Sequence, residues 1–247
     1  MNFIKNFGRA VWRIWFYGWV FFSVLAVFPV LLIIVSKEKW YPIFYKIARC
    51  WSKTILFIMG FRVDFEKEGT LEKGKSYLFC PNHTSMMDVM MMFVMSENPF
   101  VFIGKKEIAK VPVFGYFYKK TNILVDRGNR DSGKQVIEEA NRRLKSGMSI
   151  CIFPEGLVPD DENVVLSEFK NGAFRLAIEH QIPIVPVTLF DCKRLFSFTF
   201  FSGKPGVLRA KLHAVIPTKG MDSKHRNALK KQTFSLIYDE LMLDLKG

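Results

Sequence analysis

The stretch Asn82-His83-Thr84-Ser85-Met86-Met87-Asp88 puts a histidine at the mouth of a strand-to-helix turn, with a carboxylate five positions on. Neutral imidazole takes a proton from a hydroxyl near pH 7, and a carboxylate on its other nitrogen fixes the tautomer and stabilises the imidazolium that forms. His83 and Asp88 are therefore candidates for a general base and its orienter. No cysteine or serine nucleophile is needed if a substrate's own alcohol attacks. A plainer reading uses the same residues. Ser85 and Asp88 have the spacing of a capping box, with Ser85 as N-cap and Asp88 at N3, which leaves Asp88 a helix-start residue and His83 a polar loop residue. Short motifs recur by accident, so spacing alone keeps both readings open. Asn82-His83-Thr84 also fits a glycosylation sequon, but nothing else in the chain suggests a secreted protein.

Four further stretches sit where functional loops belong. Gly104-Lys105-Lys106-Glu107 and Val125-Asp126-Arg127-Gly128 each follow an apolar run. Lys105 and Arg127 can hold a phosphate, Arg through a fork of donors and Lys as a point charge. Singly, each is more often a solvated surface cation. Ile152-Phe153-Pro154-Glu155-Gly156 ends a strand in a tight turn carrying one acid. Glu155 there can accept from hydroxyls, order a basic residue, or simply sit exposed. Phe169-Lys170-Asn171-Gly172-Ala173-Phe174 leads to Ile182-Pro183-Ile184-Val185-Pro186-Val187, a strand whose prolines argue for a place near a sheet edge. Gly128 to Gln135 matches a G-x-x-x-x-G-K phosphate loop, but Gln135 stands where a magnesium-binding Ser or Thr is required, and a loop-to-helix start suffices to explain it.

Short apolar runs alternate with helical segments to carry these loops. The strand candidates are Arg62–Phe65, Tyr77–Cys80, Phe100–Ile103, Asn122–Val125, Ser149–Phe153, Ile184–Leu189 and Val207–Ile216. The helical candidates are Met86–Met95, Lys105–Lys119, Ser132–Lys145, Lys170–His180 and Ser223–Leu243. That alternation predicts an α/β fold with a mixed, largely parallel sheet flanked by helices. Functional residues then belong in loops at the carboxyl ends of strands.

The first sixty residues differ in character. Ile14 to Val35 carries no charge and is long enough to cross about 30 Å of hydrocarbon as a helix. Arg9 and Arg13 precede it, Lys37 and Lys39 follow, and Trp12, Trp15, Tyr17 and Trp19 crowd one end like an interfacial aromatic belt. Pro29 is a candidate kink. A second helix, Trp40 to Met59 with Gly60 as its stop, sets apolar residues on one face and Lys46, Arg49 and Lys53 on the other. Such a basic amphipathic helix commonly lies in a membrane interface, the competing reading being a helix packed on its own domain. The division expected is 1–60 as an N-terminal membrane-associated two-helix element and 61–247 as the α/β domain. The expected location is membrane-associated, monotopic or single-span, with the α/β domain on the cytoplasmic side.

A chain of 247 residues with 49% hydrophobic content and a net charge of +13 favours anionic partners: membrane headgroups, phosphorylated substrates or nucleic acid. No zinc spacing or recognisable RNA-binding motif supports the last. Cys50, Cys80, Cys151 and Cys192 lie far apart with no metal spacing, and buried free thiols in a reducing compartment are expected. No metal is expected.

Taken together in order and spacing, the stretches from Phe61 to Val187 resemble the glycerophospholipid acyltransferase family, especially its 1-acyl-glycerol-3-phosphate acyltransferases. The H-x-x-x-x-D block is His83 to Asp88, and the lysine block is Gly104 to Ile108 through Val111 to Gly115. The arginine block is Val125 to Arg127, the F-P-E-G block is Phe153 to Gly156, and the proline-rich block is Ile182 to Val187. The resemblance implies His83 as general base, Asp88 as its orienter and Lys105 and Arg127 as phosphate binders. It implies Glu155 and Gly156 in acceptor binding, no cofactor, an acyl-CoA or acyl-carrier-protein co-substrate, a lysophospholipid acceptor, and a membrane with anionic lipids as partner. Two departures bear on the acceptor. Leu157 stands where the family usually has Thr or Ser, and Thr121-Asn122-Ile123-Leu124 replaces the usual glycine-aromatic lead-in to the arginine block. The alternatives carried forward are transfer to another acceptor such as a lyso-aminolipid, and a non-catalytic membrane-binding lipid module.

Overall fold

Continuous apolar runs become strands covered on both faces, as parallel sheets require. The computed structural model describes residues 2–112, 114–126, 128, 132–159, 161 and 163–246. Its strands are β1 (Phe61–Lys67), β2 (Leu78–Pro81), β3 (Phe100–Lys105), β4 (Ile123–Val125), β5 (Ser149–Cys151), β6 (Ile184–Leu189) and β7 (Gly206–Leu212). Its helices are α1 (Asn2–Ile34), α2 (Tyr41–Ile58), α3 (Met87–Met95), α4 (Phe114–Thr121), α5 (Ser132–Lys145), α6 (Gly172–Glu179), α7 (Cys192–Phe196) and α8 (Arg226–Asp244). The strand order is β1-β7-β6-β2-β5-β3-β4. β2 pairs in parallel with β5 and β6, β3 in parallel with β4 and β5, and β7 runs antiparallel to β6. The expected mixed, largely parallel sheet flanked by helices is what forms. Every residue of β2, β5 and β6 is buried. A fully buried side chain such as Phe79 contributes roughly 1.5–3 kcal/mol.

Several expectations are corrected. The proline-bearing strand β6 lies inside the sheet, between β7 and β2, not near an edge. Its carbonyls remain available on both sides: Leu78 N–H donates to Pro183, Asn82 N–H to Val187, and His213 N–H to Pro186. Pro186 lies opposite His213 at the end of the β6–β7 register, so its missing N–H forfeits only the reciprocal bond of that terminal pair. The single helix expected over Lys105–Lys119 is broken at Val111-Pro112 into a 3-10 turn, Lys106–Lys110, and α4. Gly115 makes the return possible, since a Cβ there would sit 2.2 Å from the Ala109 carbonyl oxygen. Cys50 is exposed, whereas Cys80, Cys151 and Cys192 are buried; all four are free thiols.

The chain divides into two compact units. One comprises Met1–Asp64, Thr84–Glu97 and Asp191–Arg209; the other comprises Phe65–His83, Asn98–Phe190 and Ala210–Gly247. The segment 1–60 expected as the anchor lies within the first.

In the first unit α1 is one helix from Asn2, running through Pro29, so Arg9 and Arg13 lie inside it and not ahead of it. Arg13 is 1% exposed, and its Nη2 donates to the Ser197 carbonyl at 2.6 Å and to Ser202 O and Oγ at 3.3 Å, with its guanidinium 4.3 Å from the Phe196 ring centroid. From Ile4 to Ile34 the helix is long and apolar enough to cross a membrane, and only 6% of its most apolar window is buried. The second helix forms as expected, with one face packed and one exposed. α2 lays Tyr41, Tyr45, Ser52, Ile55 and Leu56 against its own unit, packing on α1 and α3. Tyr45 Oη donates to the Ser96 carbonyl at 3.2 Å and Trp51 Nε1 to Ser23 Oγ at 2.8 Å. Ile43, Lys46, Cys50, Lys53 and Phe57 remain as an exposed stripe. Gly60, at φ +75°, ends the helix as expected.

In the second unit α8 packs on β6 and α6, and α5 on β4 and β5. These helices cover the sheet and leave the carboxyl ends of the strands free to carry loops.

Candidate active site

β5, β3 and β4 follow β2 across the sheet, all parallel, so their carboxyl ends share one edge. Register sets the levels along that edge. Phe79 pairs with Cys151, Cys151 with Phe102, and Lys105 with Val125. His83 and Glu155 therefore lie equally far beyond a paired position, and Lys105 ends β3 beside them. Adjacent strands are about 4.8 Å apart, so the ends of β2 and β4 are separated by about 14 Å.

His83 is half-buried, and its orientation is fixed at two points. Its backbone N–H donates to Glu155 Oε1 at 2.7 Å. Its ring stacks on Phe153, centroids 3.9 Å apart and planes 20° from parallel, and Phe153 stacks in turn on Phe102 at 5.9 Å and 10°. Glu155 is 2% exposed, and its other oxygen, Oε2, accepts from the Ser167 N–H at 2.8 Å. Burial pushes its carboxyl above the usual range, against the opposing pull of the bonds from His83 and Ser167. Ahead of His83, the Asn82 side chain acts as a strand residue. It donates to the Leu189 carbonyl at 3.0 Å and accepts from the Leu189 N–H at 2.7 Å, closing the ends of β2 and β6 together.

Within the first unit Asp88 is fully buried at the start of α3. Its Oδ2 accepts from the N–H groups of Thr84 at 2.6 Å and Ser85 at 2.8 Å. Ser85 Oγ accepts from Met87 N–H at 3.1 Å and donates to the Phe196 carbonyl. The expected capping box is only half formed: α3 has Met86 as its N-cap with no side-chain cap bond, Asp88 accepts from the Ser85 N–H, and the N–H from which Ser85 Oγ accepts is that of Met87. These bonds still pin the backbone that directly follows His83. Burial, reinforced by the nearby Asp88 carboxylate, pushes the Cys192 thiol well up; burial does the same at Cys80 and Cys151. These thiols are unsuited to act as nucleophiles.

Lys105 is exposed at the end of β3. The preceding Gly104 admits Tyr118, whose Oη would lie 1.8 Å from a Cβ. Lys106 pairs with Asp126 at 3.4 Å, linking the β3 and β4 loops, though so exposed a pair contributes at most about 1 kcal/mol. Arg127 lies outside the described residues. Its flanks are defined: Asp126 N–H donates to Ser132 Oγ at 2.8 Å and Asp126 Oδ1 accepts from Gly128 N–H at 3.1 Å. Gly156 has φ +79°, and a Cβ there would fall 3.0 Å from Lys170 Cδ and 3.2 Å from its Nζ. Lys170 is therefore a cation beside the F-P-E-G turn to which sequence reasoning gave no role. The bracing oxygens of Glu155, the stack under His83 and the Asn82 clasp were missed as well, because each depends on residues far apart in the chain.

Glu68, His213 and Glu240 have ligand atoms close enough to hold a metal ion. Lys211 Nζ already neutralises the two carboxylates, bonded to Glu68 Oε1 at 2.9 Å and to Glu240 Oε1.

A family model described as Acyltransferase matches residues 62–189. An uncharacterized acyltransferase of Schizosaccharomyces pombe is 28% identical over 226 residues, covering 90% of this chain and 81% of its own. A 1-acyl-sn-glycerol-3-phosphate acyltransferase of Escherichia coli is 33% identical over 132 residues, 53% of either chain, so about half of that relative's length is spanned. The crystal structure of a 1-acyl-sn-glycerophosphate acyltransferase from Thermotoga maritima superimposes with a TM-score of 0.76 at 21% identity, covering 100% of this chain and 98% of that one. At that identity the likeness is one of fold.

Proposed function

The chain belongs to the acyltransferase family, and from that premise we propose that it moves a fatty acyl group from an acyl thioester to the free hydroxyl of a lysophospholipid, 1-acyl-glycerol-3-phosphate, giving phosphatidic acid. His83 takes the hydroxyl proton. The oxygen attacks the thioester carbonyl, the tetrahedral oxyanion collapses with cleavage of the C–S bond, and the imidazolium returns the proton to the sulfur, which leaves as the thiol. Asp88 stabilises that imidazolium and holds the turn after it. Lys105, Arg127 and Lys170 bind the phosphate. Glu155 is assigned chiefly to hold the His83 backbone, and Gly156 leaves room for Lys170. Either acyl-CoA or acyl-carrier protein serves as donor.

The observation that carries this reading is the placement of His83: half-exposed, held by Glu155 and Phe153, and level with Lys105 on one sheet edge. Names of the relatives support the acceptor. Exposed Leu157 follows the F-P-E-G turn where the family usually offers a hydroxyl, which favours a different lysolipid acceptor as the second reading. The exposed apolar face of α1 supports a membrane setting, and the net charge of +13 favours anionic lipids. The buried, inert thiols fit a reducing, cytoplasmic side for the catalytic domain.

The test offers purified protein lysophosphatidic acid and a panel of other lysolipids, with both thioester donors, and reads products by mass spectrometry. Phosphatidic acid as the dominant product, with the KM for lysophosphatidic acid raised by Lys105→Ala, supports the assignment. Acylation of a lysolipid lacking phosphate, undiminished in that variant, replaces it with the second reading.

A further inference from the structure

Unit one ends in a loop that the proposed reaction does not use, Ser197-Phe198-Thr199-Phe200-Phe201-Ser202-Gly203-Lys204. Its interior is polar and closed. Ser197 Oγ and Ser202 Oγ share a hydrogen bond at 2.6 Å, Thr199 N–H donates to Ser197 Oγ at 3.2 Å, and Ser202 Oγ donates to the Thr199 carbonyl at 2.7 Å. Lys204 N–H returns to the Leu195 carbonyl at 3.1 Å. Gly203 is required at φ +91°, since a Cβ there would lie 2.4 Å from that same carbonyl oxygen. With hydroxyls and backbone filling the inside, the phenylalanines point out: Phe198, Phe200 and Phe201 are 56%, 40% and 55% exposed.

Three exposed phenylalanines on a closed loop need an apolar partner, and the loop's attachment indicates which. It is clasped to α1 one helical turn apart, by Arg9 to the Phe201 carbonyl at 3.2 Å and by Arg13 to Ser197 and Ser202. Above those arginines on α1 come the exposed Trp15, Tyr17 and Trp19 and then an uncharged stretch to Ile34. Trp15, Tyr17 and Trp19 are residue types that collect at headgroup level in a membrane interface. Residues 9–13, and the loop bound to them, then fall at headgroup level. Arg194 and Arg209 pair with Asp191, and Lys193 and Lys204 beside the loop are cations suited to an anionic surface. Ser197, Thr199 and Ser202 bond one another within the loop, which lowers the cost of bringing it into the interface.

We propose that the Phe198–Phe201 loop is a second membrane contact, inserting its phenyl rings among the headgroups of an anionic bilayer beside α1, with Arg13 as the clasp that sets its depth. The proposal rests on the membrane setting read for α1, but not on the reaction.

The test uses the full chain carrying Cys50→Ser with Phe200→Cys, and separately with Phe198→Cys, labelled with an environment-sensitive fluorophore and placed in phosphatidylglycerol vesicles. The other cysteines are buried and do not compete for label. The proposal expects blue-shifted emission at both positions, quenched by lipids bearing a nitroxide near the headgroup and protected from iodide. Emission like that of the free dye, quenched by iodide and not by nitroxide lipid, overturns it. A blue shift without nitroxide quenching that grows with protein density also overturns it, by assigning the loop to contact between copies. Loss of acyl transfer with these readouts intact would count against the proposed function alone.

Discussion

Glu155→Gln separates holding His83 from binding substrate. Each carboxylate oxygen of Glu155 accepts one backbone N–H, from His83 at 2.7 Å and from Ser167 at 2.8 Å, in a site 2% exposed. Glutamine keeps one acceptor and turns the other into a donor, so either amide orientation leaves one buried N–H facing an NH2 group. An unsatisfied buried donor costs about 1–3 kcal/mol, which for a chain of this size lowers Tm by roughly 2–10 °C. Part of that is returned, because the buried carboxylate carries a desolvation cost that glutamine does not. The catalytic effect is the sharper readout. If the His83 N–H loses its acceptor and the ring moves by about 1 Å, the rate falls by about 10²-fold. Steady-state kinetics with varied acceptor, alongside thermal unfolding, should show kcat falling while the acceptor KM changes little. A raised acceptor KM with kcat preserved and Tm unchanged would refute the positioning role and restore Glu155 to direct acceptor binding.

Gly115→Ala should cost about 1–3 kcal/mol, because the new Cβ meets the Ala109 backbone and not a movable side chain; denaturant unfolding reads it. Two buried groups predict loss of stability in acid. At Asp191, burial raises the carboxyl pKa, but hydrogen bonds from Arg209 and Arg194 outweigh it and hold it below the usual range. Its stabilisation is present above the unfolded-state pKa and is lost as pH falls through the lower folded one. His213 sits among Glu68, Lys211, Glu240 and Thr188, with burial lowering its pKa. As pH falls below about 6.5 the unfolded chain takes up a proton that the folded chain resists, so stability declines from there down to the folded pKa. Thermal unfolding between pH 7.5 and pH 5 should therefore show a smaller drop in His213→Gln than in the parent; an equal drop would show that His213 does not report on folding.

Strands were legible because parallel strands buried on both faces read as unbroken apolar runs, and β2, β5 and β6 are of that kind. Short or interrupted elements were not. α7 is a five-residue helix, too short to show a period, and the break at Val111-Pro112 is hidden inside a run with helical spacing. Proline in β6 misled because what matters is which partner its nitrogen faces, and that depends on where β7 starts to pair. Arg13 read as a flanking charge because its acceptors lie in a loop 184 residues on. Of the candidate residues, His83, Asp88 and Lys105 announced themselves by residue type after apolar runs. The grip of Glu155 on His83 joins residues 72 positions apart and has no local signature.

The central claim is that His83 is the base for acyl transfer. The most direct measurement is the single-turnover rate of His83→Ala with lysophosphatidic acid and a thioester donor, on protein whose circular dichroism and Tm match the parent. A positioned general base contributes about 10²–10⁴-fold, so the account predicts a rate reduced by that factor. A folded variant that transfers acyl groups at the parental rate would contradict it.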